Sequence, residues 1–129
     1  MRVMIDTNVF ISALMFPDST PAKAVFAVVE KHQLVLCNYI IDELYEKIAQ
    51  KRPDLIPALT DLLKALDFEI AETSNKMSFE MSDLKDVPII NAAIHGNVDC
   101  IISDDKHFLT LNLPRPLTVT PTGFLDKLC

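Results

Sequence analysis

Short apolar runs and helix-patterned stretches take turns along the whole chain, and that alternation limits its fold more than any other feature. RVMI (2–5), LVLC (34–37), FEIAE (68–72), DCIIS (99–103) and LTVT (117–120) read as five strands, each short and apolar. Between them, NVFISALMF (8–16), PAKAVFAVVEKH after Thr20, NYIIDELYEKIAQK (38–51) and ALTDLLKAL (58–66) carry the helical period. A fifth helix is expected to begin at Asp86, with Pro88 in its first turn, and PTGFLDKL (121–128) to close the chain as a sixth. Thr20 is expected to cap the second helix, with Pro21 in its first position, and Asn38 to cap the third. SNKMSFEMS (74–82) is polar with scattered apolar residues and reads as a loop. Strands that alternate with helices call for a parallel sheet covered on both faces, an α/β sandwich of three layers around about five strands. No repeat, low-complexity tract or linker divides the 129 residues, so residues 1–129 are expected to form one domain.

No apolar run approaches the roughly 18–20 residues that cross a bilayer. MRVMIDTN meets an aspartate too early for a signal peptide, so a cytoplasmic protein is expected. Half of the residues are hydrophobic and mean hydropathy is +0.24. That much apolar surface on a small domain points to a homodimer or higher homo-oligomer. Cys37 and Cys100 lie within or beside strands and read as buried small hydrophobes; with Cys129 they offer no zinc or disulfide spacing. The net charge of −6 speaks against nucleic acid, which favours basic surfaces. That argument weakens if several acids are metal ligands, because the rest of the surface is then nearly neutral.

Only two glycines occur, Gly96 and Gly123, so no glycine-rich loop cradles a phosphate, and P-loop hydrolysis and dinucleotide binding are excluded. His32, His95 and His107 stand far apart and read as surface or helix-end residues. The acids remain. Asp6 directly follows the first strand and Asp105 lies just beyond the fourth, and in open α/β sheets ligands bind beyond the carboxyl ends of strands. Asp86, at the start of a helix, is as good an N-cap as a ligand. Glu43, Lys47 and Lys51 share a helix face at i, i+4 and i+8. The plain reading is a surface ion pair; the functional one is a carboxylate on a metal, followed by lysines tracking a phosphate backbone. Converging carboxylates raise one another's pKa unless cations join them, and hard oxygen donors select Mg²⁺ or Mn²⁺ over zinc.

Four segments together resemble the PIN-domain ribonucleases, in particular the VapC-like toxin components of toxin–antitoxin pairs. IDTNVFISAL (5–14) looks like that family's opening strand–Asp–Thr–Asn–helix motif, and NYIIDELYEKI (38–48) is similar to the segment bearing its helical glutamate. DVPIINAA (86–93) matches an aspartate seven residues before a helix alanine. IISDDKHFL (101–109) looks like the family's hydrophobic–hydrophobic–Ser/Thr–x–Asp motif, and VTPTGFLDKL resembles its usual ending. The resemblance runs through the whole chain in order. It implies a PIN-like fold in which Asp6, Glu43, Asp86 and Asp105 hold Mg²⁺ or Mn²⁺ and carry catalysis, with Thr7, Asn8 and Ser103 orienting them. The implied activity is metal-dependent endonucleolytic cleavage of RNA, leaving a 5′-phosphate, by the toxin of a pair with a cognate antitoxin. Lys47, Lys51 and Arg52 would contact the RNA. Asn38 stands where many relatives have serine, and Asp104 is an extra acid where relatives often have glycine or arginine.

Ser103 and Asp105 share a strand parity, so Asp105 is expected to face Asp6, with Asp104 turned to solvent. A phosphorelay receiver domain would need an acidic pair behind strand one, an aspartate behind strand three and a lysine behind strand five. The chain instead has Asp6-Thr7-Asn8, Glu72-Thr73-Ser74 and Pro121. A haloacid-dehalogenase-type phosphatase needs Asp-x-Asp after strand one and meets Asn8 instead. The remaining competitor is a PIN-like module that binds RNA or protein without cutting. It gives no reason for four acids to tolerate one another.

Overall fold

The computed structural model describes residues 1–71, 87–110 and 115–129, and the expected loop at 74–82 and Asp86 lie outside them. Five strands form a single sheet in the order β3-β2-β1-β4-β5, every pair parallel. They are β1 (Arg2–Ile5), β2 (Gln33–Cys37), β3 (Phe68–Ala71), β4 (Cys100–Ile102) and β5 (Leu117–Val119). The helices are α1 (Thr7–Met15), α2 (Thr20–Lys31), α3 (Asn38–Lys51), α4 (Ile56–Ala65), α5 (Val87–His95), α6 (Lys106–Leu109) and α7 (Pro121–Lys127). A single 3-10 turn, Pro53–Leu55, joins α3 to α4, and Pro57 falls in the first turn of α4, where a missing N–H costs nothing.

The three inner strands are apolar at nearly every position because helices flank the sheet and leave no solvated side. Val3, Met4 and Ile5, Val35, Leu36 and Cys37, and Cys100, Ile101 and Ile102 are fully buried. At the edges Ile70 and Leu117 remain exposed. Cys37 and Cys100 are buried and unbridged, as their sequence setting suggested, and burial pushes the Cys100 thiol up to about 12. Phe10, Phe108 and Phe124 fill the largest shares of the core.

Two expected caps move. Ser19, not Thr20, caps α2: its Oγ accepts the Ala22 amide at 3.3 Å, while Thr20 is already helical. Asn38 likewise opens α3 as its first helical residue, with Cys37 in the cap position and no side-chain bond there. Both helices begin one residue earlier than expected, so the cap position falls on Ser19 and on Cys37. The closing helix is capped by Thr120, whose Oγ1 accepts the Gly123 amide at 3.0 Å. One helix went unforeseen, the four-residue α6.

The order of strands sets the position of the site. The chain moves outward from β1 through β2 to β3, then crosses to the other side of β1 for β4 and β5. The carboxyl ends of β1 and β4 thus flank the point where the winding reverses. In open α/β sheets that reversal leaves a crevice for ligands.

Candidate metal centre

Asp6 leaves the end of β1 and is held there by the sheet itself. Its amide donates to the Ile102 carbonyl at 3.0 Å, extending the β1–β4 ladder one residue past Ile5. Asp6 occupies the cap position of α1 but makes no capping bond with its side chain. Its carboxylate turns instead toward β4, where Oδ2 accepts the Ser103 hydroxyl at 2.9 Å. The residue is 5% exposed.

Ser103 is fully buried, and its amide donates to the Val119 carbonyl at 2.9 Å, so β5 fixes it in turn. The same Ser103 Oγ accepts the amide of Asp105 at 2.9 Å. One hydroxyl therefore joins the Asp6 carboxylate to the backbone of Asp105. Past Ser103 the two aspartates part: Asp104 is exposed and Asp105 half-buried. Asp105 caps α6, its Oδ1 accepting the His107 amide at 2.8 Å, which explains that short helix. β4 itself ends at Ile102, yet Asp105 retains an extended backbone, with φ −77° and ψ 120°. Asp104 is exposed, as its parity suggested, while the charge of Asp105 acts on Asp6 and its Oδ1 is engaged by the α6 cap.

Burial pushes the Asp6 carboxyl up to about 6 from its ordinary 3.8. The Ser103 hydroxyl and the Thr7 amide pull it down, while the charges of Asp105 and Glu43 push it further up. A carboxylate so held is costly to ionise without a cation, because desolvation and like charge oppose the same form.

Glu43 lies on α3, within electrostatic reach of Asp6. Its Oε2 is 3.9 Å from Lys47 Nζ, one helical turn on. Lys47 Nζ also donates to Asn8 Oδ1 on α1 at 3.1 Å. Lys51 and Arg52 are exposed, and Arg52 forms a two-pronged pair with Asp54 at 3.0 and 2.9 Å. The structure thus brings together Asp6, Ser103 and Asp105, sets Glu43 beside them, and places Asn8 at their margin through Lys47. Asp86 lies outside the described residues. Among the described residues no three His, Cys, Asp or Glu side chains close into a metal-holding group.

The donor set suits a hard divalent cation, with oxygen donors and neither histidine nor cysteine. A second sign is the Thr7 hydroxyl, buried without a hydrogen-bond partner directly beside Asp6. Such a group normally finds a partner. Sequence reasoning passed over the Asn8–Lys47 link and the buried Asn91 of α5. An amide within the apolar run VPIINAAIH was the available signal for Asn91.

Comparison with known proteins agrees with this fold. A family model described as PIN domain matches residues 2–107. No curated protein matches at a significant level. Among solved structures, VapBC2 from Rickettsia felis bound to a DNA fragment from their promoter is similar to this chain, with a TM-score of 0.68 and 16% sequence identity. That alignment covers 92% of this chain and 97% of the other.

Proposed function

Because this chain belongs to the PIN-domain family, we propose that it is a metal-dependent endoribonuclease, the toxin of a toxin–antitoxin pair. The observation that carries this reading is Asp6, a carboxylate buried at the reversal point of the sheet, bonded through Ser103 to the Asp105 backbone and repelled by two other acids. A buried charge placed against its own stability is the mark of a group kept for chemistry.

Asp6, Glu43, Asp86 and Asp105 are the residues that would hold Mg²⁺ or Mn²⁺. Bound there, the ion supplies a Lewis acid that makes water a nucleophile at neutral pH and offsets charge at the phosphate. Ser103 fixes the direction of Asp6 Oδ2, and the α6 cap fixes Asp105, so neither acid must be ordered when substrate arrives. From the α1 side the Thr7 amide orients Asp6, and Asn8 meets the acids through Lys47. Lys47, Lys51 and Arg52 on and beyond α3 are the cations offered to an RNA backbone. Cleavage in this manner leaves 5′-phosphate and 3′-hydroxyl ends.

The partner in this reading is a cognate antitoxin. Its place is the apolar cavity of about 420 Å³ among α1, α2 and α4, lined by Phe10, Leu14, Val25, Phe26, Leu62 and Leu66. The solved relative, itself a VapBC2 assembly, suggests that occupant. Phe16 and Phe26 are 59% and 67% exposed, apolar surface of the kind a protein partner covers. Among the described residues no helix is long and apolar enough to cross a membrane.

The deciding experiment incubates the purified protein with end-labelled RNA and Mn²⁺, then reads the product ends. Cleavage that stops with EDTA and leaves 5′-phosphates is expected. Cleavage that survives EDTA, or 2′,3′-cyclic phosphate ends, overturns the mechanism. RNA bound but never cut under any divalent ion favours the binding module instead.

A further inference from the structure

Lys47 stands in an unusual place for a surface lysine. Its stem runs along α3, but its ammonium reaches across to α1, 3.1 Å from Asn8 Oδ1 and 3.9 Å from Glu43 Oε2. The side chain is 31% exposed and that of Glu43 19%, so the pair is partly withdrawn from water. Spacing alone accounts for the contact with Glu43, its i+4 neighbour. It does not account for Asn8, a residue 39 positions away on another element. The shorter contact is the long-range one, so α1 contributes to where the ammonium sits.

We propose that Lys47 is a positioning residue whose ammonium is the resident counter-cation of the acidic set, holding Glu43 and Asn8 in place and competing with a divalent ion for that ground. The inference rests on the reading of these acids as a metal centre and deepens it. Asp105 and Glu43 each repel Asp6, and a cation carried on the chain beside Glu43 reduces that repulsion. An incoming ion must then displace or approach a positive charge already present. The ion's affinity is lowered to the extent that the ammonium stabilises the metal-free arrangement.

The sign of the effect separates this role from a purely structural one. If Lys47 only tied α1 to α3, removing it would loosen Glu43 and Asn8 and weaken metal binding. If it only tracked RNA, metal binding would not change. As a counter-cation, its removal strengthens metal binding while weakening the metal-free fold.

The experiment measures Mn²⁺ binding by calorimetry for wild type, Lys47→Met and Lys47→Arg, with melting of each in EDTA. Methionine keeps the stem length and helix propensity, and far-ultraviolet circular dichroism verifies the fold of each variant. Lys47→Met is expected to bind Mn²⁺ about three- to tenfold more tightly, the scale set by unit charges a few ångströms apart screened as in water. It should also melt lower than wild type in EDTA, and Lys47→Arg should remain close to wild type in both measurements. Unchanged or weaker Mn²⁺ binding by Lys47→Met, with wild type binding normally, overturns the counter-cation role and leaves the metal centre standing. No Mn²⁺ binding by any of the three proteins overturns both.

Discussion

Asp6 and Asp99 are acids attached to neighbouring central strands, one just past the end of β1 and the other just before the start of β4. Their surroundings are opposite. Asp99 accepts the Arg2 amide at 2.8 Å and the Arg115 guanidinium at 2.7 Å, and the backbone bond from Arg2 chiefly holds its carboxyl below the usual range. Arg2 in turn reaches Glu69 and the Gly96 carbonyl, so Asp99 and Glu69 at the amino edge of the sheet each have an arginine. Asp6 has a hydroxyl and an amide for company and two acids pushing against it. The amino edge uses its charges to close the sheet. The carboxyl edge holds its charges at a cost to stability, and the proposed function rests on that contrast.

The strongest way to break the comparison is through activity. Asp105→Asn should abolish RNA cleavage at saturating substrate, whereas the exposed Asp104→Asn should stay within about tenfold of wild type, 1.4 kcal/mol on the rate scale. Single-turnover cleavage at matched Mn²⁺ measures both. A dead Asp104→Asn beside an active Asp105→Asn would exchange their roles.

A second test uses pH without metal. The Asp6 carboxyl is raised to about 6 in the native state, so between about pH 4 and 6 the unfolded chain loses a proton that the folded chain retains. Native stability should therefore fall as pH rises through that window, by about 3 kcal/mol from this group alone, with the loss complete above the native value. Urea unfolding in EDTA at pH 4.5 and 7 should show the fall, and Asp6→Asn should remove most of it. Equal slopes in the two proteins would mean that Asp6 ionises without strain.

Metal should reverse that loss. A ligand that binds only the native state adds roughly 2.7 kcal/mol at a hundredfold excess over its Kd. Melting in millimolar Mn²⁺ should exceed that in monovalent salt of equal ionic strength. An equal rise in Asp6→Asn would place the ion elsewhere.

The smallest effect belongs to the other edge, with the opposite sign. Because the Asp99 carboxyl is lowered, its contribution is present above its ordinary range and lost as pH falls through the native value. Asp99→Asn should destabilise by about 0.5–1 kcal/mol at pH 7, since the Arg115 pair is solvent-screened. It should leave cleavage unchanged.

The parts of the molecule that could be read from sequence are those fixed by local pattern. The runs RVMI, LVLC and CII are apolar without alternation because β1, β2 and β4 are buried on both faces, and that signal survives without any structure. Asp6 and Asp105 were legible because a strand end is also a place in the sheet. Ser19 was missed because Ser19 and Thr20 could each cap α2, and Cys37 because its cap position carries no side-chain capping bond. α6 was missed because four residues carry no period; it is made by the Asp105 cap. The Lys47–Asn8 contact had no local signal, since helical spacing fixes a face of α3 but not what α1 presents to it.

One bond described above bears on timing. Ser103 Oγ and Asp6 Oδ2 are 97 residues apart in sequence, and β1 meets β4 only across most of the chain. Contacts of such separation form late, after loop closure over the intervening residues. A ribosome must deliver the fourth strand before the first strand's aspartate finds its hydroxyl, so the bond cannot form until Ser103 has been made. Under the proposed function, the chain cuts no RNA before its fourth strand has been made.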